Sequence, residues 1–419
     1  MLLQFICSNF ASIRDSVILS LAPSSDKEHQ ENLIHKDRYT ALNEIAIYGA
    51  NASGKSNLFR AMTLAVNIIR QSSNRQVNVM IPVIPFKFDE ISREKPSSFE
   101  FTFVASDKRK YIYGFSVDRL RVHEEYLYRC SASGRLMIFE RSGEKYEYAK
   151  SLKKQFERVQ KMNTPNKLLL ATATNWNVDS TAIPYKWLSE GIDTFTNDGN
   201  IPSLTLHLYR QHGEEYTDFT KELLKQADIN IDNIQVESQK VTDAGSGQVL
   251  PEILVNGMVL QPAEQYRIKI TTGHLVKDGE NKMKDYPLSL EEESLGTRQL
   301  FYFAPLIKQA LDSGKTLVID EIDRSIHPSL VKFLVDMFRR PEKNPYGAQL
   351  IFTTHETTLL SRGTFRKDQI YFMEKNSENA VSTLYSLDEF ELSEDENVEK
   401  GYLLGRYGAI PFLQTEELI

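Results

Sequence analysis

The period of the apolar positions changes along the chain, and each change predicts a different element. The first 23 residues alternate, in "LLQFICSNF" and "SVILSL" around a polar turn, which predicts a β-hairpin or meander. Residues 24–40 are mostly charged and polar and predict a loop. The stretch "NEIAIYGANASGKSNLFRAMTLAVNIIRQ" then predicts strand, glycine-containing loop and helix, with Leu58, Met62, Ala65, Ile68 and Ile69 at helical spacing. Between 81 and 148, alternating runs such as "SSFEFTFVA" and "KYIYGFSVD" are separated by the turns "SDKR" and "ASGR", which predicts an antiparallel meander.

Residues 149–290 are mixed. Helices are expected near 151–162, 184–192 and 201–228, and strands at 233–239 and 251–255. No heptad is sustained there, so a compact insert is expected and not a coiled-coil arm. From 291 the order is helix, strand "TLVIDEID", helix "PSLVKFLVDMF", strand "QLIFTTH", short helix, strand "QIYFMEK" and strand "VSTLYSL". That alternation implies an α/β fold with a parallel sheet, completed by the strand "IAIY" from the N-terminal end. Three regions follow: an N-terminal lobe (1–150), an insert (151–285) and a C-terminal lobe (286–419).

Composition narrows the class. Apolar residues make up 41% and charged residues 26% of the 419-residue chain, as in an ordinary globular protein. No run of apolar residues is long enough to span a bilayer, and the N-terminus lacks the basic start of a leader peptide. Cys7 and Cys130 alone give neither a disulfide framework nor a zinc site, which fits a reducing cytoplasm. The net charge of −7 argues against a broadly basic nucleic-acid coat, while leaving room for a local basic groove.

Three motifs carry chemistry. Gly49 to Ser56, "GANASGKS", fits G-x-x-x-x-G-K-[ST] between a strand and a helix, the context that the motif requires. Gly49 and Gly54 let the backbone curl so that N–H groups face phosphate, with Asn51, Ala52, Ser53 and Asn57 completing the cradle. Lys55 would neutralise phosphate charge, and the Ser56 hydroxyl would reach Mg²⁺. In "TLVIDEID", Asp320 ends an apolar strand where it can hold Mg²⁺. Glu321, one residue further, is expected to activate a water. The alternative for this acidic pair is helix capping. In "LIFTTHETTLL", His355 ends the next strand, where a γ-phosphate sensor would sit. A lone histidine is otherwise more often structural.

A fourth stretch, "EEESLGTRQLF" (291–301), opens a helix ahead of the acidic strand and by itself reads as a helix cap. The order of these motifs resembles the ABC-type ATPases, in the branch of the SMC, Rad50, RecF and OLD proteins. Ser294-Leu295-Gly296-Thr297-Arg298 is similar to the signature loop L-S-G-G-Q, with Ser294 at the serine and Gly296 at the second glycine. Leu295 replaces the first glycine and Thr297 the glutamine. "SNFASIRD" (8–15) resembles the N-F-x-S start of that branch. "YGANASGKSN", "LVIDEIDRSIHP" and "EKGYLLGRYGAIPF" look like bacterial stand-alone ATPases of the abortive-infection and RloA type. His327 stands where other ABC proteins have aspartate, as in OLD-like members. The resemblance covers roughly 1–110 and 285–375.

It implies an ABC fold that binds ATP with Mg²⁺, hydrolyses it and dimerises on it, with higher oligomers open. Ser294 and Gly296 would contact the nucleotide of the other protomer. It further implies a cytoplasmic sensor or clamp in anti-phage defence, acting with a nuclease or RloB-like effector or on nucleic acid. The 64 residues after His355 are too few for the TOPRIM nuclease of OLD proteins. Two rivals stay open: a RecF-like repair ATPase, and a scaffold that binds ATP without cycling. The basic residues Lys150, Lys153, Lys154, Arg158 and Lys161 form either a solvated face or a phosphate track. The tail "GYLLGRYGAIPFL" either packs on the core or binds a partner.

Overall fold

A computed structural model describes residues 1–411 except 133, 197–200, 241–252, 256–257, 261–265, 362 and 394–395. Its central layer is a six-stranded sheet in the order Ile192–Phe195, Thr316–Ile319, Gln349–Thr353, Glu44–Tyr48, Ile370–Lys375, Ser382–Ser386. The first five strands run parallel and the last antiparallel. All five residues of Glu44–Tyr48 are buried, because both faces of the sheet are covered. Ile45 and Ile47 enter one hydrophobic core, and Ala46 and Tyr48 enter the other.

The first core lies between this sheet and a seven-stranded antiparallel sheet. That second sheet runs from Lys145–Tyr148 through Gly134–Ser142, Val122–Ser131, Lys110–Val117 and Ser97–Val104 to Leu2–Ser8 and Val17–Ser20. The helix Lys55–Gln71 fills the space between the sheets with Leu58, Met62, Ala65 and Ile69. The second core packs the helices Leu295–Ser313 and Pro328–Arg339 on the other face.

Pro305 sits inside Leu295–Ser313 and cannot donate to the Phe301 carbonyl. The buried Tyr209 hydroxyl supplies that bond instead, at 3.0 Å. Tyr209 comes from Ile201–His212, so a helix-breaking residue becomes a docking point for the insert.

Several expectations are corrected. Residues 24–40 do not form a plain loop: Leu33–Lys36 pairs with Tyr39–Leu42, with Asp37 turning the chain at φ +60°. The expected helix 201–228 is two helices, Ile201–His212 and Glu214–Gln226, broken at Gly213 with φ +51°. A helix at Leu169–Asn175 and the strand Tyr266–Lys277 were not expected; the hairpin partner of that strand, Met283–Ser289, takes in most of the strand-like "YPLSL" at 286–290. The strand expected at 251–255 is Ile253–Val255, and residues 251–252 lie outside the described residues. Ile192–Phe195, at the end of an expected helix, is instead the edge strand of the central sheet. Arg70, at the end of Lys55–Gln71, fixes it by donating to the carbonyls of Ser189 (2.5 Å) and Ile192 (2.7 Å). Among the described residues, no helix is long and apolar enough to cross a membrane.

One buried side chain ties the two sheets together. Gln349 accepts from the Leu2 N–H at 2.7 Å and donates to the Leu2 and Leu42 carbonyls at 3.0 Å each. Gln349→Leu leaves these buried groups unpaired and should cost roughly 2–4 kcal/mol. The urea midpoint reports it; an unchanged midpoint would refute this role for Gln349.

Candidate functional site

The site is assembled where the parallel strands end, the usual place for a ligand in an α/β sheet. The chain leaves Tyr48 into the Gly49–Ser56 loop. A Cβ on Gly49 would collide with the Met373 carbonyl, and one on Gly54 with the side chains of Ser382 and Ser12. Gly54 also has φ +112°, a conformation open to glycine. Asn51 and Ala52 are exposed, Ser53 is buried, and Ser56 and Asn57 are half-buried.

Two serines distant in sequence brace the loop. The Ser382 hydroxyl lies 2.8 Å from Ser12 Oγ and 2.7 Å from the Ser53 carbonyl oxygen. Asn57 donates to Ser12 at 2.8 Å. Ser12 belongs to "SNFASIRD", so this braced contact is one use of that motif. The Lys55 ammonium donates to the carbonyls of Gly49 (2.6 Å) and Ala50 (3.1 Å). Burial lowers the pKa of Lys55, and Asp320, Glu321 and Asp323 oppose the shift.

Thr316–Ile319 is buried along its length and delivers Asp320, itself 3% exposed, to the same place. The Thr353 hydroxyl donates to Asp320 Oδ1 and accepts from the Glu321 N–H, both at 2.7 Å. Glu321 has φ +54°, a left-handed conformation that costs a non-glycine residue about 1–2 kcal/mol. Such a cost persists where neighbouring bonds hold the backbone, as Thr353 does here. Asp323 Oδ2 accepts from the His355 N–H at 3.0 Å, and its Oδ1 is buried without a partner among the described residues. Desolvation, then the charge of Lys55, lower the pKa of His355, and Asp323, Glu321 and Asp320 pull the other way. The ring is therefore neutral at neutral pH, able to accept at one nitrogen and donate at the other.

Lys55, Asp320, Glu321 and His355 thus feel one another's charge. Ser294 and Gly296 stand differently. Ser294 caps Leu295–Ser313, accepting from the Thr297 N–H at 3.1 Å. A Cβ on Gly296 would lie 2.8 Å from the Ser325 carbonyl, so the helix start is pressed on the loop that follows Glu321. Among the described residues, no hydrogen bond or ion pair joins Ser294 or Gly296 to Gly49–Ser56 of the same chain. Ser294 and Leu295 are exposed. His327 is a helix cap, accepting from the Ser329 N–H at 3.3 Å.

The residues fit a nucleotide accompanied by Mg²⁺. Three carboxylates face one ammonium, so a polyphosphate would be repelled unless a cation came with it. The Ser56 hydroxyl and Asp320 carboxylate are hard oxygen donors of the kind Mg²⁺ takes. Among the described residues, no group of three or more His, Cys, Asp or Glu could hold a metal alone. The cation would need oxygens from the ligand as well.

Sequence reasoning missed Thr353, Asp323, Ser12 and Ser382. Local signals existed for three of them: the strand-end hydroxyl in "TTH", the last acid of "TLVIDEID" and the serine of "SNFASIRD".

A protein family described as "AAA domain, putative AbiEii toxin, Type IV TA system" matches residues 45–361. No curated protein matches the chain. Among solved structures, an SMC head bound to the C-winged helix domain of ScpA is 13% identical, with 94% of this chain and 98% of that one covered and a TM-score of 0.43. The SMC head domain from Thermotoga maritima is 13% identical, with 93% and 99% covered and a TM-score of 0.41. The recombination mediator protein RecF with ATP is 13% identical, with 92% and 97% covered and a TM-score of 0.34.

Thr353→Val keeps the shape and removes both bonds of the hydroxyl. Nucleotide turnover should fall about 10–100-fold, or roughly 1.4–2.7 kcal/mol. Thr354→Val, at a hydroxyl that accepts from the Glu356 N–H nearby, serves as the control. Steady-state phosphate release measures both, and equal rates in the two variants would contradict the bridging role.

Proposed function

The chain belongs to the family of AAA-domain proteins described as AbiEii-type, and from that premise we propose that it is an ABC-type ATPase that binds Mg·ATP, dimerises on it and hydrolyses it. The observation that carries this reading is the meeting of Lys55, Asp320, Glu321 and His355, with Glu321 locked in a left-handed backbone by Thr353. In the reaction a water oxygen attacks the γ-phosphorus, the bond to the β-phosphate oxygen breaks, and ADP leaves. Glu321 takes the proton from the water. Lys55 and the loop amides offset the charge that builds on the phosphate oxygens. Mg²⁺ at Ser56 and Asp320 would neutralise phosphate charge. His355, neutral, hydrogen-bonds the γ-phosphate or the attacking water.

The dimer follows from Ser294. It has no bond to its own Gly49–Ser56 loop, and its exposed position at a helix N-terminus suits an anion on another molecule. In this reading each nucleotide lies between one protomer's Lys55 and its partner's signature loop. The output is a cytoplasmic switch in bacterial anti-phage defence, working through a separate effector protein. The family description, which names a putative toxin of a type IV TA system, supports a role in a two-component bacterial system. The 1–150, 151–285 and 286–419 regions serve it as nucleotide lobe, insert and signature-bearing lobe.

Glu321→Gln should retain ATP binding and lose two to four decades of turnover, about 3–5 kcal/mol of barrier. Its ATP-bound dimer should accumulate in light scattering. Near-normal hydrolysis in this variant would remove Glu321 from the role of base. The composite site is tested by mixing two variants, Lys55→Ala and Ser294→Arg, each inactive alone. About half of randomly exchanged equimolar dimers are mixed, and each mixed dimer has one intact site. Recovered activity is the expected result. No recovery, with exchange verified by tagged subunits and independent sites shown by titration into wild type, would return Ser294 to a helix cap.

A further inference from the structure

The C-terminal segment turns back onto the nucleotide loop. It begins with the helix Val398–Leu403, capped by Asn397. Tyr402 on this helix is 8% exposed. Its ring meets Tyr48 edge-on at 5.7 Å and stacks on Phe372 at 5.4 Å. Tyr48 is the residue immediately before Gly49. The Tyr402 hydroxyl donates to the Ala409 carbonyl at 3.3 Å, which fixes the ring against Tyr48. Burial holds the phenol above its ordinary value, so the hydroxyl keeps its proton.

One helical turn earlier, Glu399 Oε1 accepts from the Thr357 hydroxyl at 3.0 Å. Thr357 opens the short 3-10 helix Thr357–Leu360, two residues after His355. The same corner is closed by Tyr48, whose hydroxyl donates to the Glu356 carbonyl at 3.1 Å. Two residues of one short helix therefore hold the entry of the phosphate loop and the turn behind the histidine.

The rest of the tail locks that helix down. Tyr407 stacks on Phe372 at 5.8 Å, and its carbonyl accepts from Tyr385 at 2.8 Å. A Cβ on Gly401 would lie 2.6 Å from the Tyr407 hydroxyl, and one on Gly408 2.6 Å from that of Tyr385. The glycines of this segment permit close approach, and packing accounts for them without a partner. Packing alone does not require Tyr402 and Glu399 to end beside two separate loops of one site.

We propose that the tail helix Val398–Leu403 is a positioning element of the nucleotide site, with the Tyr402 ring holding Tyr48 at the entry of the phosphate loop and Glu399 fixing the turn that carries His355. This rests on the ATPase reading. Neither residue touches substrate; both act through the loops they hold.

The test uses the full chain with Tyr402→Leu, Tyr402→Phe, Glu399→Ala and Glu399→Gln. Tyr402→Leu removes the ring that packs on Tyr48, and Tyr402→Phe keeps it. Tyr402→Leu should speed amide exchange in the 49–55 loop of the nucleotide-free protein and weaken ATP binding about fivefold, and Tyr402→Phe should stay near wild type in both. Glu399→Ala should speed exchange at 355–360 and lower kcat about fivefold with ATP affinity retained. Glu399→Gln keeps an acceptor oxygen and should restore both. A tail that only packs would give lower melting temperatures with wild-type exchange in both loops and no split between affinity and kcat, and that result overturns the proposal. Exchange is read without nucleotide. It therefore decides the role of the tail even if the wild-type protein fails to hydrolyse ATP, a failure that would sink the ATPase reading instead.

Discussion

The Thr353 hydroxyl is the group on which the chemistry of this site depends. Asp320 and Glu321 are adjacent in sequence and would repel each other if both faced the same ligand. Thr353 separates them by giving its proton to the Asp320 carboxylate and receiving the Glu321 amide. One acid is thereby held buried, and the other leaves the strand through a left-handed backbone. The same neighbour keeps both in place. A third acid, Asp323, holds the His355 backbone.

The layers around the site explain why it sits where it does. A strand buried on both faces cannot carry polar side chains along its length, so its polar groups gather at the ends. Glu44–Tyr48, Thr316–Ile319 and Gln349–Thr353 are adjacent in the sheet, and each ends at a chemically active residue or loop. Gly49, Asp320 and His355 become neighbours because the three strands are. The two hydrophobic cores then fix the sheet from either side, so the site inherits its rigidity from packing it does not itself contain.

What could be read from sequence was whatever lay within one continuous motif. The loop 49–56, the acids 320–321 and His355 each follow an apolar run whose length and content predict a buried strand. The bracing by Ser12 and Ser382 joins positions 370 residues apart and leaves no periodic trace. Thr353 was hidden in a strand-end threonine pair with no local sign of which hydroxyl would turn inward. The strand Ile192–Phe195 is four residues long and follows a helix directly, so its pattern merged with the helix before it. Ser294 shows the opposite ambiguity: its hydroxyl caps the helix, and the cap geometry by itself carries no sign of a second use. The tail's glycines were visible, but their close contacts were not.

The strand Ile192–Phe195 also gives the insert a mechanical path to the site. It pairs in parallel with Thr316–Ile319 over four positions, and the Phe195 carbonyl accepts from the Asp320 N–H at 2.9 Å. The chain beyond leads to the helix Ile201–His212. A pull on Ile192–Phe195 along its own direction loads the ladder in shear, with its bonds sharing the force, instead of opening them one after another. The last bond in the ladder belongs to Asp320. Displacement of Ile192–Phe195 along this direction therefore reaches the Asp320 end of the neighbouring strand directly.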